Sequence, residues 1–223
     1  MTTLEQTCKE VYEQVHHLWL GLEGTLPTWD HKFSILYGPP VERPPLFVTG
    51  FNPGGGNVQE TERSWPDTFW YAAADNPLCC RLQRIFERAG QRDAFERSTG
   101  ANLIFFRTPG IDKNPSGTGW KDVPLELRRL LEQYCRDQLN KLVAAMDPTL
   151  LFVMGWDALG MICGPDDYVD QLAPGGKWLA VETKLDHRPV FAITHPSRRG
   201  LSTVECEMIG DWLAPRLTEH LGG

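Results

Sequence analysis

The chain has 223 residues, 41% of them hydrophobic and 23% charged, a balance that fits a globular protein with a substantial core and excludes a disordered or fibrous one. Its net charge of −7 excludes a protein that coats nucleic acid through bulk positive charge, but leaves room for one that engages a few phosphates in a local groove. No apolar run approaches the roughly 20 residues of a bilayer span, and no basic start leads into an apolar stretch, so a cytoplasmic location is expected, nuclear if the source is eukaryotic.

In chain order, residues 4–19 place Val11, Val15, Leu18 and Trp19 at helical spacing, which predicts an amphipathic helix. A proline-rich loop follows. The diproline Pro44-Pro45 blocks any helix from entering residues 46–49, whose β-favouring side chains predict a buried strand. That strand runs into Gly50-Phe51-Asn52-Pro53-Gly54-Gly55-Gly56, where fixed φ at proline and free φ at glycine make a turn that presents Asn52 at the strand's carboxyl end. Residues 57–77 are polar and aromatic by turns; Asn76 then fits an N-cap and Pro77 a first helical position, for a helix ending near Gly90. Residues 103–106, all apolar, predict a second strand, and 124–146 a long helix stopped by Asp147-Pro148. A third strand is expected at 150–154, a short helix at 157–163, a turn at 174–176 and a fourth strand at 190–194, with a closing helix over 202–220.

Short all-apolar strands separated by long helices are the mark of parallel strands covered on both faces. The expected fold is a single three-layer α/β/α domain over residues 1–223, with a central, mainly parallel four-stranded sheet. The six cysteines include one adjacent pair, Cys79-Cys80, and no CxxC, so free thiols are expected rather than a zinc or iron–sulfur site. His16-His17 lacks a third ligand in sequence, and the glycine-rich turn is not a G-x-G-x-x-G fingerprint.

Three of the four expected strands adjoin polar residues suited to chemistry: Asn52 after the first, Asn102 before the second and His195 after the fourth. In a parallel sheet such positions gather in a cleft at the carboxyl edge. Each has a plain alternative: Asn52 as a turn cap, Asn102 as a strand-end partner, His195-Pro196 as a solvated loop.

Together these segments resemble the uracil-DNA glycosylase superfamily. Gly50-Phe51-Asn52-Pro53-Gly54 is similar to its first motif, and Ile193-Thr194-His195-Pro196-Ser197 to its second. Asn102 in Ala101-Asn102-Leu103-Ile104 and the apolar strand ending at Gly155 match in order between them. Asn rather than Asp at position 52 resembles the single-strand-selective and mismatch-specific branches. The triple glycine, and Arg198 in place of the superfamily's common proline, depart from that pattern.

The resemblance implies a monofunctional DNA glycosylase of base excision repair, working as a monomer on single- or double-stranded DNA with no metal or cofactor. Asn52 would position the attacking water; His195 would hydrogen-bond the base and stabilise the departing anion. Asn102 would read the edge of the flipped base, Tyr71 would stack on it, with Trp70 and Trp65 as the alternatives, and Phe51 would also belong to the base-binding pocket. Gly54, Gly55, Ser197 and Arg198 would contact DNA phosphates, and Arg199 would fill the gap left by the flipped nucleotide. Two alternatives are a non-catalytic base-binding module of the same fold and a glycosylase for another base such as hypoxanthine, xanthine or a modified base.

Overall fold

The computed structural model describes residues 3–22, 33–54, 65–113, 115–163, 168–197 and 201–222. In chain order its elements are α1 (Leu4–Leu22), β1 (Leu46–Gly50), α2 (Trp70–Ala73), α3 (Pro77–Arg88), α4 (Arg92–Glu96), β2 (Thr99–Gly100), α5 (Leu125–Met146), β3 (Leu150–Met154), α6 (Trp156–Ile162), β4 (Asp170–Leu172), β5 (Ala180–Leu185), β6 (Arg188–Ile193) and α7 (Thr203–Leu221). The strands form one sheet in the order β2-β1-β3-β6-β5-β4. The first four run parallel; β5 is antiparallel to β6, and β4 to β5.

Alternation along the strands builds two apolar layers. Phe47, Leu151, Val153, Val190 and Ala192 pack with side chains of α1, α5 and α6. Leu46, Val48, Leu150, Phe152, Met154, Phe191 and Ile193 pack with α3, α4 and α7 on the other side. β1, β3 and the carboxyl-terminal part of β6 are therefore buried on both faces, which explains their unbroken apolar sequence. Asn76 caps α3 as its sequence predicts, its Oδ1 accepting from the N–H groups of Leu78 and Cys79.

Two expectations change. The sheet has six strands and is mixed, not four-stranded and mainly parallel, because β4 and β5 extend it as an antiparallel edge. Residues 103–106 form no strand. The β2 ladder ends at Gly100, and the apolar run continues as buried coil whose backbone is satisfied piecemeal: the N–H groups of Leu103 and Ile104 donate to Gly50 O and Phe51 O, and Phe105 O accepts from Ser34 N–H. A hydrophobic run reports burial, and here burial came without a ladder.

Candidate functional site

The chain leaves β1 toward β2 on one side of the sheet and leaves β3 toward β6 on the other. The carboxyl ends of β1 and β3 therefore flank a topological switch point, where a crevice opens between the two crossovers. A cleft of about 1020 Å³ lies there, and its walls include Phe51, Asn52, Gly54, Trp70, Tyr71, Asn102, His195 and Ser197. Gly55, Arg198 and Arg199 lie outside the described residues.

Asn52 follows β1 directly. Its Nδ2 donates to Thr108 Oγ1 at 2.5 Å and reaches Thr108 O at 3.4 Å. The Thr108 hydroxyl donates its own proton to Gly110 O at 3.0 Å, so both Thr108 oxygens face Asn52 as acceptors. Only the amide nitrogen can satisfy them. The carbonyl Oδ1 of Asn52 has no hydrogen-bond partner among the described residues and is not sealed from solvent, which leaves an acceptor at the cleft wall.

His195 follows β6 on the far side of β3. The Ser197 N–H donates to His195 Nδ1 at 3.2 Å, and the Ser197 hydroxyl lies 2.7 Å from the same nitrogen. A backbone donor at Nδ1 makes that atom the acceptor, so the neutral ring carries its proton on Nε2. Behind the loop, Arg81 of α3 donates to Pro196 O at 2.6 Å. Gly155, with φ +96, sits so close that a Cβ there would lie 3.4 Å from His195 Cβ.

Asn102 is only 3% exposed. Its Oδ1 accepts from Gly50 N–H at 3.1 Å and its Nδ2 donates to the Tyr37 hydroxyl at 2.7 Å. These bonds fix the sense of the amide and leave it one N–H and one lone pair. Gly50 permits the approach, since a Cβ there would lie 2.9 Å from that Oδ1.

Comparison of the sequence with models of known families and with characterised proteins gives no match.

Three further sequence expectations are altered by this geometry. Tyr71 is 4% exposed, with its ring stacked on Tyr37 at 5.1 Å and Phe69 and Trp70 against its edges, so its ring is committed to the wall. Half-buried Trp70 and buried Phe51, whose ring packs edge-on against Trp120, also line the cleft. The Gly54 N–H donates to Asn52 O, which removes it as a phosphate donor. Ser197 is engaged with His195.

Sequence reasoning missed Thr108, Tyr37 and Arg107. Arg107 is 7% exposed, lines the cleft and points its Nε at Gly54 O over 3.4 Å. Burial lowers its pKa, partly opposed by Tyr37, and burial pushes the Tyr37 phenol well above its ordinary range despite hydrogen bonds to Ser34 and Asn102. Tyr37 sits in a proline-rich loop with no periodicity to mark it. Thr108 and Arg107 follow directly on an apolar run, the only local hint. Among the described residues no three His, Cys, Asp or Glu side chains gather as a metal site requires, and no helix is long and apolar enough to cross a membrane.

Proposed function

We propose that the chain is a monofunctional DNA glycosylase with the three-layer domain of the uracil-DNA glycosylase superfamily, hydrolysing the N-glycosidic bond of uracil or a related damaged base flipped out of DNA. The supporting observation is the pairing, in one switch-point cleft, of an amide with only its carbonyl oxygen open and an imidazole whose neutral form is protonated on Nε2. In this reading Asn52 Oδ1 accepts a hydrogen bond from water and aims its lone pair at C1′ of the sugar. As the new C1′–O bond forms, the C1′–N bond breaks and its electron pair leaves with the base. His195 Nε2–H hydrogen-bonds the base carbonyl that gathers this charge, so the donor is in place before the anion exists. A neutral amide orients water but cannot take its proton, which goes to solvent or the departing base; slow turnover is expected. None of the motif residues is a lysine, so no lyase step is proposed.

The remaining N–H and lone pair of Asn102 suit an edge with a carbonyl beside an N–H. Uracil offers O4 and N3–H, and hypoxanthine offers an equivalent pair, so a base panel separates these substrates. Half-buried Trp70 is the stacking candidate in place of Tyr71. The test is release of free base from single- and double-stranded oligonucleotides carrying uracil, hypoxanthine, xanthine or modified bases. His195→Ala is expected to slow release by about 10²–10³-fold. Tight binding with no product would instead favour a non-catalytic base-binding module.

A further inference from the structure

We propose that Thr108 is the positioning residue that gives Asn52 its function, by forcing the amide to turn its carbonyl oxygen toward the cleft. Three observations carry this. Thr108 is wholly buried, so water does not compete for its hydroxyl. That hydroxyl donates to Gly110 O, and with its proton there its oxygen accepts from Asn52. The backbone carbonyl of the same residue presents a second acceptor to the same Nδ2. A flipped Asn52 would set its Oδ1 against the Thr108 carbonyl oxygen and would have to draw the Thr108 hydroxyl proton away from Gly110 O, losing one hydrogen bond and gaining a repulsion. The chain from Asn52 through Thr108 to Gly110 also runs in one donor sense, so each bond polarises the next. The catalytic consequence rests on the glycosylase reading; the geometric claim does not.

The test uses Thr108→Val, which keeps the side-chain shape and removes the hydroxyl, beside Thr108→Ser, which restores it. Base release is measured as kcat and KM. In parallel, the Asn52 side-chain amide protons, assigned by their loss in Asn52→Ala, are followed by NMR for exchange with solvent. The expected result is a fall in kcat of about 10²-fold for Thr108→Val with KM nearly constant, since misplacing a reacting group affects turnover more than affinity. Thr108→Ser recovers most of it. The Asn52 amide protons exchange slowly in the wild type and in Thr108→Ser, and quickly in Thr108→Val. If Thr108→Val keeps both its kcat and its slow exchange, the proposal is overturned. If the wild type releases no base from any oligonucleotide, the glycosylase reading fails and exchange alone decides: fast exchange in Thr108→Val upholds the positioning role, and unchanged exchange ends it.

Discussion

The side chains proposed to do chemistry are held by neighbours with little freedom of their own. Gly155 shows this most plainly. Its φ of +96 belongs to a region that side chains rarely adopt, and an added Cβ would lie 3.4–3.5 Å from His195 Cβ and Cδ2. Gly155→Ala is therefore expected to cost about 1–3 kcal/mol in backbone strain and to slow base release by shifting the imidazole, read by denaturant unfolding and by the base-release assay. Retained stability and rate would mean that the loop adapts. Asn52 and His195 were legible in sequence because each ends an apolar run that forms a strand. Thr108 was not, because its role exists only once the fold brings it to a residue 56 positions away.

Among the elements, those whose sequence states their environment were legible. Strands β1, β3 and β6 are apolar because both faces are covered, and α3 carries its own cap. The antiparallel edge was hidden by its charge. Asp170 of β4 stands opposite Glu182 of β5, a pairing that would repel without Arg216 of α7. That guanidinium bonds the Asp170 carboxylate, reaches Glu182 Oε2 at 3.2 Å and lies 4.0 Å over the Trp212 ring. No local pattern announces a strand whose charges are answered from a helix 46 residues away. Arg216→Ala is expected to speed amide hydrogen exchange in β4 and β5 while leaving β1 and β3 protected. The Gln171 backbone N–H and Arg216 hold the Asp170 carboxyl below its ordinary range. A depressed carboxyl contributes stability that is present above its unfolded pKa and lost as pH falls through the folded one. The edge is thus expected to loosen in acid, and equal exchange in the variant and wild type would remove Arg216 as its anchor.

Across the whole molecule, all six cysteines are free and only Cys80 is exposed. One thiol should react rapidly with a thiol reagent in the native state, and all six after denaturation. Burial pushes Cys79 up to about 11 and Cys8 and Cys135 up to about 12 from an ordinary value of 9.0. Above about pH 9 the unfolded chain releases these protons while the folded chain keeps them, so the unfolded state binds fewer and stability falls as pH rises. The melting temperature should decline from about pH 9 upward, and a flat profile to pH 11 would contradict this burial. The central claim, however, concerns the cleft where Asn52 and His195 line one wall system at the switch point of the sheet. The measurement that tests it most directly is free-base release from a uracil-containing oligonucleotide by wild type, Asn52→Ala and His195→Ala. The account predicts slow but measurable release by the wild type and a loss of about 10²-fold or more in each variant; release at the same rate by all three would contradict it.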